Sequence, residues 1–326
     1  MRIIGISLRG GAALTLMAYM VAGAVAQSYP VKAVRIISPF SPGSSSDIVG
    51  RLLAQKLTGS WSQTVLVENR TGAGGTIGIA HVAKSPPDGY TLLMGGVTVA
   101  TSPSLFKNLP YDTLRDLVPV ILIVRAPSVL TVHPSLPVKS VKELIVFART
   151  RPGQLNYSSS GFGTPGHLAV ELFNGMTGTK FVHVPYRGPT EALTELLTGQ
   201  VQVAITSVVS AMPFVRSGRL RALGVTGARR INELPDLPPV SEAGALPGYE
   251  VYVWYGLLAP AATPADTIRK VNQDVRQTAR LPEISGKLAA HGSELVLGTP
   301  EEFGRFLHDE ITKWRKVIKE SAAAVN

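Results

Sequence analysis

Three segments of the sequence could bind an anion, because each places small polar residues between a strand-like run and a helical run. The first, residues 39–47, reads Pro-Phe-Ser-Pro-Gly-Ser-Ser-Ser-Asp. Backbone N–H groups at a helix start, together with the helix dipole, bind anions, and serines add hydroxyl donors. The same residues are also typical of an ordinary helix N-cap. The pattern of this segment alone favours neither interpretation.

The second segment, residues 158–167, contains a literal G-x-G-x-x-G at Gly161, Gly163 and Gly166. A dinucleotide-binding motif of this form requires an acidic residue about 20 positions later for the ribose. Residues 180–185 read Lys-Phe-Val-His-Val-Pro and contain no acid. The motif therefore does not indicate a nucleotide, although a glycine backbone can still approach an anion closely.

The third segment, residues 184–190, again joins a strand-like run to a helical one and contains Tyr186 and Arg187. An arginine can bind a carboxylate through two parallel hydrogen bonds. A surface arginine bonded to solvent or to another part of the chain explains this residue equally well. Thr98, which follows another strand-like run, is expected to line the same site from the first half of the chain.

Residues suited to catalysis are scarce. The sequence has no cysteine and no G-x-S-x-G motif, and none of its six histidines pairs at H-x-x-x-H spacing. Thiolate catalysis is therefore excluded, and neither a zinc site nor an activated serine is predicted. His167 opens a predicted helix, and we interpret it as structural and not as a general base. We predict no catalytic residue, no metal and no cofactor.

Strand-like apolar runs alternate with helical patterns along almost the whole chain. This alternation predicts an α/β architecture of mostly parallel sheets covered by helices. Ligands of such sheets bind beyond the carboxyl ends of the strands, where the three segments lie. Because 326 residues exceed one core of usual size, two lobes are expected. No linker divides the chain, so it should cross between the lobes more than once.

The first residues have the pattern of a signal peptide. Arg2 and Arg9 accompany an apolar stretch over residues 10–23, and an Ala-Val-Ala cleavage site ends at Ala26. A membrane anchor is the alternative, but the stretch is shorter than the roughly 20 residues that span a bilayer. We therefore expect an exported chain that is cleaved near Ala26.

The formal net charge is +10, but the basic residues are scattered and do not interleave with aromatic ones. A nucleic-acid-binding protein would concentrate such charge on one face or in one run. We therefore interpret the charge as a solvated surface with a mild preference for anions, and we predict no nucleic-acid partner.

The chain resembles the Bug family, the substrate-binding proteins of tripartite tricarboxylate transporters, over nearly all of the sequence after residue 26. Each matching motif is weak alone, but their order and spacing are specific. In order, the motifs are Tyr29-Pro30, Arg35-Ile36-Ile37, Pro39-Phe40-Ser41-Pro42-Gly43 with Asp47, Val67-Glu68-Asn69-Arg70, Gly72-Ala73-Gly74-Gly75, Pro87-Asp88-Gly89-Tyr90, Leu109-Pro110-Tyr111-Asp112, Pro152-Gly153-Gln154-Leu155-Asn156-Tyr157, Ser160-Gly161 with His167-Leu168, Val184-Pro185-Tyr186-Arg187-Gly188, and Trp254 with Ala259-Pro260.

The resemblance implies a two-lobed periplasmic binding protein fold of type II, an α/β fold in which each lobe is a mixed or parallel sheet flanked by helices. Lobe one would comprise residues 27–125 plus 251–326, and lobe two residues 126–250, with crossing strands near residues 126–132 and 249–258. The resemblance also implies a monomeric periplasmic protein. It would bind a small organic carboxylate between the lobes, partly through ordered waters, and deliver it to membrane permease subunits of a tripartite transporter.

Two departures from the family pattern bear on the ligand. The family usually has two glycines after Pro42, whereas here Gly43 is followed by Ser44, which adds a hydroxyl and bulk. Many relatives carry an aspartate near residues 205–207, where this chain reads Ile-Thr-Ser. Without an acid to balance a ligand ammonium, we expect simple carboxylates to bind better than amino acids.

Two other functions stay compatible with the sequence. The protein could present its carboxylate to a membrane sensor, or it could be an exported hydrolase that uses residues 158–160 or His167. A hydrolase needs a nucleophile beside a base, and the sequence shows no such pair. For the binding protein, the residues expected to contact the ligand are Phe40, Pro42, Gly43, Ser44, Ser46, Asp47, Thr98, Ser159, Ser160, Gly161, Gly163, Thr164, His167, Tyr186, Arg187 and Ser207.

Overall fold

A computed structural model describes residues 29–321. The signal peptide expected over residues 1–26 lies outside this range. Within the described range, no helix is both long and apolar enough to cross a membrane.

Ten strands alternate with twelve α-helices along residues 29–321. The strands are β1 Val34–Ser38, β2 Val65–Asn69, β3 Thr91–Gly96, β4 Leu117–Val132, β5 Asn156–Ser159, β6 Val182–Pro185, β7 Val203–Ser207, β8 Arg221–Val225, β9 Tyr252–Pro260 and β10 Glu294–Leu295. The helices are α1 Ser45–Trp61, α2 Thr76–Ala83, α3 Val97–Leu105, α4 Thr113–Asp116, α5 Val141–Arg149, α6 Pro165–Thr177, α7 Pro189–Leu197, α8 Val208–Arg216, α9 Val240–Ala243, α10 Ala265–Arg280, α11 Pro282–Ala290 and α12 Pro300–Glu320.

The strands form two groups that share β4. In the first sheet, the order is β2-β1-β3-β9-β4, with β10 also on β4; in the second it is β4-β7-β5-β6, with β8 also on β4. The pairs β1–β2, β1–β3, β5–β6 and β5–β7 are parallel. The pairs that β4 and β9 make are antiparallel, so each sheet is mixed.

The long strand β4 runs through both sheets. Its residues 117–127 pair with β9, and its residues 128–132 pair with β7 and β8. The register with β9 shifts just after Pro119, and a proline cannot donate to a ladder hydrogen bond. One continuous strand therefore fixes the position of the second sheet relative to the first.

The final helix, α12, packs on both halves of the molecule. Thr299 and Glu302 form a capping box that starts the helix. Its apolar face is buried at Phe303, Leu307, Ile311, Trp314 and Ile318, and the helix contacts α3, β4 and α6. The same hydrophobic cluster contains residues of both sheets, so the core is continuous between them.

One charged residue lies inside this core. The Glu310 carboxylate of α12 is buried and accepts hydrogen bonds from the indole N–H groups of Trp254 and Trp314, each at 3.0 Å. Lys313 forms an ion pair with the same carboxylate. The two tryptophans are fully buried, so Glu310 satisfies donors that have no access to water.

Candidate ligand-binding cleft

A cleft of about 380 Å³ lies where four strands lead into four helices. The pairs are β1 with α1, β5 with α6, β6 with α7, and β7 with α8, and the first turn of each helix lines the cleft. The amino end of a helix carries a partial positive charge and free N–H groups. Four such ends at one cleft favour an anionic ligand.

Three of these helix starts lack a side-chain cap. Ser44 and Thr164 stand at the N-cap positions of α1 and α6, yet neither side chain caps its helix. The Thr164 hydroxyl donates instead to the Gly161 carbonyl, at 2.7 Å. Gly188 precedes α7 and has no side chain, whereas Ser207 does cap α8. The uncapped N–H groups are available to a ligand.

The lining of the cleft is rich in hydroxyl groups and, within the described chain, includes no Asp, Glu, Lys or Arg. Dipoles and neutral donors would therefore hold an anion, and an ammonium group would find no carboxylate. The hydroxyls are those of Ser45, Ser128, Ser158, Ser159, Ser160, Thr206, Ser207, Ser210, Tyr255 and Ser293. The larger apolar residues are Ile48, Val49, Leu193, Ile205, Val209, Val253 and Leu288.

The first predicted segment supports the cleft more than it lines it. None of Phe40, Pro42, Gly43, Ser44, Ser46 and Asp47 is part of the lining, to which this region contributes Ser45, Ile48 and Val49. The Ser44 hydroxyl lies 3.2 Å from that of Ser46, which also contacts Ser38. The hydroxyl that distinguishes Ser44 from a glycine is thus used within the loop.

Asp47 organises this loop from inside. Its carboxylate accepts hydrogen bonds from the Gly43 N–H at 2.9 Å, the Asn69 amide at 2.8 Å and the Arg51 guanidinium at 2.9 Å. Burial alone would raise the pKa of Asp47, but the hydrogen bonds from Arg51, Gly43 and Asn69 outweigh it and hold the pKa below its usual value. Asp47 therefore fixes the turn that starts α1.

Asp47→Ala is expected to lower the free energy of unfolding by about 2 kcal/mol at neutral pH, because charge-assisted hydrogen bonds to a buried carboxylate are lost. The folded-state pKa is depressed, so this stabilisation is present above the unfolded value of about 3.9 and is lost as the pH falls through the folded pKa. Urea denaturation at several pH values measures it. Asp309→Ala, on the exposed side of α12, is the control. A difference that does not change with pH would contradict a role for the ionised carboxylate.

The second predicted segment does line the cleft, through Ser159 and Ser160. It also corrects one interpretation of the sequence, which found no base beside a serine. The Ser159 Oγ lies 2.7 Å from the His183 Nε2, because β5 and β6 are adjacent parallel strands. The two residues are distant in sequence, so no local motif could reveal the pair.

The hydrogen bonds around Ser159 do not make it a nucleophile. Its Oγ accepts from the Gly161 N–H at 3.1 Å and lies 3.0 Å from the Gly161 carbonyl, which can accept the hydroxyl proton. The His183 Nε2–H then donates to the Oγ, leaving Nδ1 as a bare acceptor. This Nδ1 is buried and has no hydrogen-bond partner among residues 29–321, so no acid of that range orients the ring as in a catalytic triad.

His167 is buried behind the same loop. Its Nδ1 accepts a hydrogen bond from the Gly163 N–H at 3.1 Å, and its ring centroid lies 4.2 Å from that of His183. Burial, with a smaller effect of His183, lowers the pKa of His167 to about 3. Burial likewise lowers the pKa of His183 to about 4. Both rings are therefore neutral at physiological pH.

The remaining predicted residues do not lie together. Ser207 lines the cleft. Tyr186 packs on the hydrophobic cluster around Leu196, and the side chain of Arg187 is exposed. Thr98 is outside the lining, as are Gly161, Gly163 and Thr164, which form the loop between Ser160 and α6.

Sequence reasoning missed the wall that the long strands and α11 provide. Ser128 and Tyr255 project from β4 and β9, and Leu288, His291 and Ser293 come from α11 and the loop after it. These residues reach the cleft only through long-range strand pairing, which leaves no local signal. Ser128 and Tyr255 lie within the segments expected to be crossing strands. Because successive side chains of a strand point to opposite faces, the alternation along these segments could have indicated which residues face the cleft.

Two lobe-like sheets, a hydroxyl-rich cleft between them and four convergent helix starts define a solute-binding protein. Residues 49–322 match the family described as "Tripartite tricarboxylate transporter family receptor". The chain is 36% identical over 300 residues to the protein BugT of Bordetella pertussis, covering 91% of this chain and 92% of the relative. The chain therefore belongs to the tripartite tricarboxylate transporter receptor family. Its role is substrate binding and not catalysis.

Solved structures agree with this assignment. An R. palustris protein with adipate is 37% identical, with a TM-score of 0.78 and coverage of 90% of this chain and 98% of that one. The periplasmic binding protein BugD is 30% identical, with a TM-score of 0.76 and coverage of 91% and 99%. MatC from Rhodopseudomonas palustris with bound malate is 31% identical, with a TM-score of 0.74 and coverage of 89% and 100%. The predicted two-lobed periplasmic binding protein fold is confirmed.

Proposed function

We propose that this protein captures a small organic carboxylate in the cleft and delivers it to the permease subunits of a tripartite transporter. The observation that carries the proposal is the convergence of four helix starts on a lining that, over residues 29–321, contains no Lys, Arg, Asp or Glu. Such a site attracts a carboxylate through N–H groups and dipoles. Adipate and malate, which are bound by two similar proteins, are both carboxylates.

The protein would act in the periplasm. Residues 1–26 would direct export to the periplasm and be removed there. Residues 27–125 with 251–326 would move as one lobe and residues 126–250 as the other, in a monomer. Binding would favour the closed arrangement, which the permease would recognise.

Plain dicarboxylates are expected to stabilise the protein and acidic amino acids are not, because no Asp or Glu of the described residues lines the cleft to pair with an ammonium group. A ligand at about 100 times its dissociation constant adds about 2.7 kcal/mol to the free energy of unfolding. Thermal unfolding with adipate, malate, aspartate and glutamate measures this directly. Native mass spectrometry before the assay identifies any ligand that co-purifies. Tighter binding of glutamate than of adipate would contradict the expectation, and no response to any carboxylate by an empty protein would contradict the function.

A further inference from the structure

Behind the glycine-rich loop that follows β5, four rings form one cluster. The His183 ring centroid lies 4.8 Å from that of Tyr157 and 4.2 Å from that of His167, and the Tyr157 and His167 centroids are 6.4 Å apart. Phe162 of the loop makes edge contacts with both imidazoles, with centroid distances of 4.8 Å to His183 and 5.5 Å to His167. The ring cluster is partly or fully buried except for Phe162, which is mostly exposed.

Each imidazole of the ring cluster is connected by hydrogen bonds to one glycine of the loop. His183 contacts the Ser159 Oγ, which in turn accepts from the Gly161 N–H. His167 accepts directly from the Gly163 N–H. Both glycines have positive φ, at 115° and 72°, a backbone region that is costly for other residues and is held here by these bonds.

Among residues 29–321, no carboxylate is hydrogen-bonded to either imidazole. The ionisable groups against the ring cluster are Tyr157 on β5 and Glu171 on α6, and Glu171 accepts its hydrogen bond from the Tyr157 hydroxyl at 2.6 Å. From α12, which packs on α6, Lys313, Lys316 and Glu320 line the groove that contains Glu171. A proton on either imidazole would therefore be uncompensated, and two charged rings 4.2 Å apart would repel.

We infer that His183 and His167 are positioning residues whose neutral rings hold the Gly161–Gly163 backbone in its observed conformation next to Ser159 and Ser160, so that acid releases the loop. Protonation of the His167 Nδ1 replaces an acceptor with a donor that faces the Gly163 N–H. The pKa values of His167 and His183 are lowered by burial behind the ordered loop. Release of the loop would let these pKa values rise toward the ordinary value, so the released form binds protons more readily and acid favours it. The role in ligand capture rests on the proposed function; the ordering of the loop does not.

The test follows the two amide protons by NMR hydrogen exchange in the 15N-labelled protein, each rate divided by its unstructured rate at the same pH. Between about pH 7 and about pH 5, the protection of Gly161 and Gly163 should fall by about tenfold or more in the wild type. The double variant His167→Asn with His183→Gln keeps an acceptor and a donor but cannot titrate. Its protection should change less than about twofold over the same range.

Two further variants are measured in the same exchange experiment. His183→Leu should lose the Gly161 protection at both pH values, with the overall fold checked by circular dichroism. His308→Gln, on an exposed site of α12, should behave like the wild type. The inference is overturned if wild type and double variant share one pH profile, or if His183→Leu leaves both amides protected. If the exchange rates follow the expected pattern but the protein does not bind adipate, the result contradicts the proposed function and still supports the role of the two histidines in ordering the loop.

Discussion

Ser159→Val is expected to weaken carboxylate binding by about a hundredfold, which corresponds to about 2.7 kcal/mol. The hydroxyl lines the cleft, accepts the Gly161 N–H and contacts the His183 Nε2. Valine places a methyl group where the hydroxyl lies, adds a second methyl group and supplies no donor or acceptor, so it leaves polar groups of the loop unpaired. Isothermal titration with adipate, or with the best carboxylate of the thermal assay, measures the loss.

A second serine–histidine pair provides the control for this variant. The Ser135 Oγ lies 2.8 Å from the His133 Nδ1 in an exposed turn, and neither residue lines the cleft. Ser135→Val should therefore leave the affinity unchanged. If Ser159→Val also bound with wild-type affinity, the ligand would lie elsewhere than against the loop after β5.

Glu310→Leu is expected to lower the free energy of unfolding by about 3 kcal/mol or more, because two buried indole N–H groups lose their acceptor. Glu310→Gln keeps one carbonyl acceptor and should cost about half as much. Urea denaturation measures both values. Glu320→Leu, at an exposed position of the same helix, should change stability by less than about 0.5 kcal/mol. A loss no larger for Glu310→Leu than for Glu320→Leu would contradict the role of the buried carboxylate.

The sequence predicted the features that depend on neighbours along the chain. The strand-like and helical runs that alternate along the chain are the alternating strands and helices of the fold. The pairings between distant strands could not be predicted, because the apolar pattern of one strand does not determine which other strand it pairs with. The antiparallel positions of β4 and β9, and the His183 beside Ser159, belong to this class.

The site prediction was limited for the same physical reason. A loop between a strand and a helix could be located, but the direction of each side chain depends on the helix start. In the first segment, Ser45 faces the cleft while its neighbours Ser44 and Ser46 bond to each other. The preference of the cleft for an anion was predicted more fully than the residues that line it, because N–H groups at helix starts attract anions whichever side chain is present.

The place of β9 in the first sheet constrains the order in which the molecule can fold. β3 pairs directly with β9, and all of the second sheet lies between them along the chain. The first sheet cannot be completed until nearly the whole chain has been synthesised, and closing so long a loop makes folding slow. The β3–β9 and β9–β4 pairings of the first sheet therefore form only after residues 252–260 have been synthesised.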